Sequence, residues 1–141
     1  MRFWDSSAII PLIVSEAQTD YCLEALQGES QMMVWALSEV EVCSALTRKL
    51  REGFLSEETL TSAMRRANQI FKAAFEVTAG PKVKQRAIRL LHLHALRAAD
   101  ALQLAAALVA VKEDVQKMPI MCFDNRLSEA ARREGFVVNP E

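Results

Sequence analysis

The stretch Leu96–Val111, LRAADALQLAAALVAV, contains no glycine, no proline and no turn residue. It is apolar nearly all the way round, so as a helix it belongs inside the molecule rather than on its surface. It also carries an acid and a base and is too short and too polar to cross a bilayer. Its polar members Arg97, Asp100 and Gln103 recur every three residues, so they form one strip at the N-terminal end. A core helix therefore delivers the Asp100 carboxylate to the place where the core opens. A carboxylate there needs a base, backbone donors or a cation. Taken alone, Arg97 one turn earlier is the plainest partner, helped by the positive end of the helix.

The chain on either side alternates short apolar runs with helical spacing. Strands are predicted at Met1–Trp4, Met32–Trp35, Phe75–Thr78, Pro119–Phe123 and Phe136–Val138. Helices are predicted at Ala8–Val14, Ala17–Gln27, Ala36–Glu52, Ser56–Phe75, Lys82–His94 and Asn125–Glu134. Pro11 and Pro81 suit first helical turns, and Gly28, Gly53 and Gly135 suit helix ends. This alternation predicts an α/β fold: a mostly parallel central sheet of about four or five strands with helices on both faces. Right-handed crossovers bring every strand's carboxyl end to one edge, where open α/β sheets bind ligands.

The 141 residues are read as one domain, residues 1–141, able to bury a sizeable core. A net charge of −1 gives no global field for nucleic acid, so any such contact must be local or metal-assisted. Cys22, Cys43 and Cys122 lack metal-ligand spacing and read as reduced thiols of a cytoplasmic protein. There is no signal-peptide core and no membrane-length apolar run.

Asp5 and Asp124 each follow a short apolar strand and so fall on the carboxyl edge. Each also suits the N-cap of the helix that follows it. Glu41 begins the helix after the second strand. Ser38-Glu39-Val40-Glu41 fits a capping box, in which Glu41 would bind the Ser38 backbone N–H. Acids gathered on one edge repel unless a cation sits among them, and oxygen ligands without His or Cys select Mg²⁺ or Mn²⁺. Spacing alone does not put Asp100 on that edge, because the packing of the two helices before it is not readable.

FWDSSAIIPL, SEVEVCSAL, LRAADALQLAAAL and CFDNRLSEAARREGF match, in order and spacing, the four motifs of PIN-domain ribonucleases. Across essentially the whole chain the sequence resembles the VapC-type toxins of prokaryotic toxin–antitoxin pairs. The resemblance implies acidic metal ligands at Asp5, Glu41, Asp100 and Asp124, with Glu41 favoured over Glu39 by the small-residue and leucine pattern after it. Ser7 matches a hydroxyl residue expected to orient a ligand or water, and Gln103 stands where many members have His. It further implies Mg²⁺- or Mn²⁺-dependent hydrolysis of RNA to 5′-phosphate and 3′-hydroxyl ends, a VapB-type antitoxin partner, and a homodimer formed through helical surface. Arg97 is the leading phosphate-binding candidate, followed by Arg48, Lys49 and Arg126. His92 and His94, two residues apart, point to different sides of a helix and read as surface or helix-end residues. Trp4, Trp35 and the Met32-Met33 pair read as core. The competing expectation is a non-catalytic PIN-like interaction module whose acids serve only as caps. A phosphotransfer receiver would want paired acids after the first strand and a late lysine, yet no Lys follows Lys117. An Asp-x-Asp phosphatase would need a second acid where Ser7 stands.

Overall fold

In the computed structural model, which describes residues 1–141, the apolar stretch is helical over Ala98–Ala110, with Ala101 and Gln103–Leu108 buried. The elements in order are β1 (Arg2–Trp4), α1 (Ser6–Ile13), α2 (Thr19–Gly28), β2 (Met32–Trp35), α3 (Ser38–Arg51) and α4 (Glu57–Ala73). There follow β3 (Phe75–Val77), α5 (Pro81–Leu93), α6 (Ala98–Ala110), a 3₁₀ turn at Val115–Lys117, β4 (Ile120–Met121) and α7 (Asn125–Arg133). The four strands form one parallel sheet in the order β3-β2-β1-β4.

Alternation along the strands sorts the core into two layers. Phe3, Trp35, Ile120 and Cys122 face one side, in a cluster with residues of α5, α6 and α7. Trp4, Met32, Val34 and Met121 face the other, against α1 to α4. Both faces of the sheet are therefore covered, as parallel strands require. Each fully buried leucine, such as Leu46, Leu90, Leu104 or Leu108, stabilises the fold by about 1.5–3 kcal/mol relative to exposure. Both tryptophans are core residues as expected: Trp4 is fully buried and Trp35 is nearly so. Met32 is buried and Met33 packs partly buried beside the core. No single helix is long and apolar enough to cross a membrane, and all three cysteines are free.

The structure corrects three local expectations. α1 starts at Ser6 rather than Ala8, because the Asp5 side chain caps it by accepting the Ser7 N–H. Pro11 therefore lies inside the helix and not in its first turn. The strand expected at Phe136–Val138 is reduced to a single bridge between Ile120 and Val138. The ladder stops there because the next backbone groups of the β4 segment, the N–H and C=O of Cys122, both bond to the side chain of Asn139. β4 likewise closes at Met121 instead of reaching Phe123, whose N–H goes to the Ser7 side chain rather than to a strand. Gly53 and Gly135 end α3 and α7 at φ +81° and +99°, left-handed values that glycine adopts without strain. At Gly135 an added Cβ would also lie 3.1 Å from Val115 Cγ2.

Candidate functional site

β1 leads directly into Asp5, the β4 segment leads through Cys122 and Phe123 to Asp124, and two residues separate β2 from α3. These elements meet at the carboxyl edge of the sheet, where a cavity of about 870 Å³ lies. Glu41 and Asp124 line it. So does Asp100, because the chain turns through 119° between α5 and α6 and α6 begins at the cavity. Asp5 lies beneath, only 4% exposed. The structure thus brings all four predicted acids to one place. Glu39, the alternative to Glu41, is exposed and does not line the cavity.

Each acid is held differently. Three donors gather on Asp5 Oδ2: the Ser7 N–H at 3.1 Å, the Ser7 hydroxyl, and the Cys122 thiol at 3.6 Å. Ser7 Oγ also accepts the Phe123 N–H at 2.9 Å, so this hydroxyl ties the end of β1 to the β4 segment. Asp124 Oδ1 accepts the Leu127 N–H at 2.8 Å and caps α7. Asp5 and Asp124 are therefore caps, as their positions predicted, and Asp124 also lines the cavity. Asp100 is the third residue of α6 and is half-buried.

Glu41 corrects the capping-box expectation. The N-cap of α3 is Leu37, with no side-chain cap. Glu41 Oε2 accepts the Ser6 hydroxyl at 3.0 Å, and Oε1 accepts Gln103 Nε2 at 3.3 Å. The same Gln103 amide donates to Ser38 Oγ at 3.0 Å. Gln103 is buried on α6, so a tertiary donor captures both side chains that the local motif would have paired.

The carboxyls are electrostatically strained. Burial pushes Asp5 above the ordinary carboxylate value, with the Ser7 and Cys122 hydrogen bonds opposing it. Glu41 is raised by burial, and the Asp5 and Asp100 charges add to the shift. Asp100 is raised by burial, then by Asp124 and Asp5, while Arg97 opposes more weakly. Burial, with Asp5 adding, pushes the Cys122 thiol up to about 12, so it stays protonated and acts as a donor to Asp5. The expected Arg97–Asp100 ion pair does not form; Arg97 takes part in none of the ion pairs. Arg97 instead lines the cavity together with Arg48 and Arg126, and none of the three is paired. Lys49 is removed from that group by its ion pair with Glu16 at 3.1 Å.

An all-oxygen donor set fits a hard divalent cation rather than zinc. As the side chains stand, no three acids converge on a single point. Neither histidine lines the cavity. His92 is an exposed helix-end residue whose Nδ1 lies 2.9 Å from Ile88 O. His94 also ends its helix, but its ring is largely buried, with Nε2 3.8 Å from Glu134.

Three residues that hold the site were not singled out for it by sequence: Ser6, Gln103 as a donor to Glu41, and Asn139. Ser6 had a local signal, since a hydroxyl follows Asp5 directly in the first helical turn. Gln103 had half of one, as a polar residue on the strip with Asp100. Asn139 had none, because its partner is the backbone of a residue 17 positions away.

The PIN domain family model matches residues 2–133. The chain is 30% identical over 138 residues to Ribonuclease VapC45 of Mycobacterium tuberculosis, covering 98% of this chain and 94% of that protein. The fold is similar to that of Mycobacterium tuberculosis VapC20, described as a sarcin-ricin loop cleaving toxin. That match has a TM-score of 0.67 and 17% identity, over 97% of each chain. It is also similar to a chain of a toxin-antitoxin complex from Klebsiella pneumoniae. There the TM-score is 0.65 and the identity 13%, over 89% of this chain and 88% of that one.

Proposed function

Since this chain belongs to the PIN-domain family, we propose that it is an endoribonuclease, the toxin of a toxin–antitoxin pair, whose hydrolysis of RNA depends on Mg²⁺ or Mn²⁺. The observation that carries this reading is that Glu41, Asp100 and Asp124, from three separate elements, line one cavity edged by unpaired arginines, with the Asp5 carboxyl buried beside them. In this reading the four carboxylates hold the metal. Bound there, the ion would supply positive charge for the scissile phosphate and activation of the attacking water. Ser7 fixes the rotamer of Asp5. Ser6 and Gln103 fix that of Glu41. Arg48, Arg97 and Arg126 meet phosphates on either side of the reacting one. The strand is read unpaired, because duplex RNA hides its base edges.

A non-catalytic module whose acids only cap helices accounts for Asp5 and Asp124. It does not account for Glu41, which caps nothing, or for Asp100, whose pKa is raised by burial first and then by the Asp124 and Asp5 charges. The partner in this reading is a VapB-type antitoxin, which would lay apolar side chains into the cleft between α2 and α4 lined by Leu12, Leu26, Met32 and Ile70. A homodimer and a reducing, cytoplasmic setting belong to the same proposal.

The test is cleavage of a labelled single-stranded RNA. Cleavage is expected with Mn²⁺ or Mg²⁺, to give 5′-phosphate ends, and is expected to stop on chelation. Cutting that persists in excess chelator would contradict the reading. The arginine rim has its own expected result. Replacing Arg48, Arg97 and Arg126 together by Gln should weaken RNA binding in low salt. It should also flatten the plot of log K against log salt by about 0.7 for each phosphate that the rim no longer neutralises. An unchanged salt slope would show that the rim does not touch the strand.

A further inference from the structure

We propose that Asn139, outside the residues matched by the family model, is a positioning residue that sets Asp124 and, through Ser7, Asp5. The proposal rests on the metal-holding reading of those acids. Asn139 Oδ1 accepts the Cys122 N–H at 2.8 Å, and its Nδ2 donates to the Cys122 carbonyl at 2.7 Å. One carboxamide thus fills both backbone hydrogen bonds that a neighbouring strand would make to that residue. Ser128 Oγ donates to the same carbonyl at 3.3 Å, from the helix that Asp124 caps.

The tail that carries Asn139 is itself fixed. Asn139 N–H donates to Ile120 O at 2.8 Å, and its φ of 51° is a left-handed value that asparagine tolerates. The Tyr21 hydroxyl donates to Pro140 O at 2.8 Å, and the Tyr21 ring meets Phe123 edge-on at 6.0 Å. Cys122 is two residues before Asp124, and the residue between them, Phe123, gives its N–H to Ser7 Oγ. That hydroxyl in turn bonds Asp5. Locking the Cys122 peptide therefore orients the start of α7, where Asp124 sits. It also fixes the acceptor side of Ser7, which leaves the Ser7 proton aimed at Asp5. Groups outside a ligand shell that orient the ligands in this way typically tune metal affinity by about 10–100-fold.

The test uses Asn139→Gly, which keeps the left-handed backbone comfortable and deletes the side chain that carries the carboxamide. Tyr21→Phe is the control, since it loosens the tail without touching the Cys122 peptide. Without metal, amide exchange in Asn139→Gly is expected to speed up at Cys122, Phe123 and Leu127 by tenfold or more. Leu104 in the core helix should keep its parent rate. With metal, the Mn²⁺ Kd measured by calorimetry should rise about tenfold or more in Asn139→Gly and change little in Tyr21→Phe. An unchanged Leu127 rate, or equal acceleration at Leu104, would reduce Asn139 to a stability residue. Equal Mn²⁺ losses in the two variants would do the same. If the parent chain binds no Mn²⁺ but the exchange pattern holds, the metal reading fails and the positioning of Asp124 stands.

Discussion

Asp100→Asn is expected to abolish RNA cleavage while leaving the metal-free fold as stable as the parent or more so. The two effects come from one cause. Asp100 stands among Asp5 and Asp124, whose charges raise its pKa on top of burial, and no ion pair compensates it. An acid whose folded-state pKa is raised favours the fold while it is protonated, and that contribution is lost as pH rises through the folded-state value. At neutral pH the ionised Asp100 therefore works against the metal-free fold. Asn keeps the shape and removes the charge, so the melting temperature in chelator should stay level or rise at pH 7. As pH falls through the raised folded-state pKa of Asp100 and the carboxyl takes up its proton, the gain should fade. Cleavage should fall by at least 10²–10³-fold, about the scale on which one preorganised electrostatic interaction acts. A gel assay on labelled RNA and a thermal melt in chelator check both halves. A clear drop in metal-free stability would instead restore the Arg97–Asp100 pair as the purpose of this carboxylate.

Much of this site was legible in the sequence, for local reasons. Asp5 and Asp124 stand where a short apolar run stops, and in a parallel sheet such stops share an edge. Helix spacing showed only that Glu39 and Glu41 face different ways; the resemblance, through the small-residue and leucine pattern after Glu41, chose between them, and Glu41 lines the cavity while Glu39 is exposed. The features that failed to read are long-range. Asp100 could be seen as an awkward carboxylate on a core helix, yet its place on the edge depends on a 119° turn set by helix packing. The Ser38–Glu41 motif looked like a cap until Gln103, far along the chain, took both side chains. Arg97 looked like a partner because spacing on a helix brings it near Asp100, but spacing does not reveal which way a flexible guanidinium points. The last strand failed because a side chain, that of Asn139, supplies hydrogen bonds that sequence patterns assign to backbone.

Mn²⁺ at a hundredfold excess over its Kd is expected to stabilise the fold by about 2.7 kcal/mol at neutral pH. With an unfolding entropy of roughly 2.1 cal/mol/K per residue, that is about 9 °C in melting temperature for 141 residues. The size of the shift should depend on pH in a defined sense. Asp5, Glu41 and Asp100 all have raised pKa values, so protons compete for the same oxygens above the ordinary carboxylate range. In the metal-free fold these three groups favour stability at low pH and lose that contribution as pH rises. A bound cation needs them ionised and offsets their repulsion, so its stabilisation grows as pH rises. Melting curves with and without Mn²⁺ at pH 5 and pH 7.5, at one fixed Mn²⁺ concentration, should therefore show the larger shift at pH 7.5. Caps alone predict a different outcome: Asp5 and Asp124 would serve their helices equally well in chelator, and millimolar Mn²⁺ would leave the melt where it was. Adventitious binding to scattered surface acids also differs, since exposed carboxylates are fully ionised by pH about 5.5 and their Mn²⁺ shift would be flat above it. A shift that still grows with pH above the range in which ordinary carboxylates titrate, and that Asp100→Asn removes, places the cation among the crowded carboxylates.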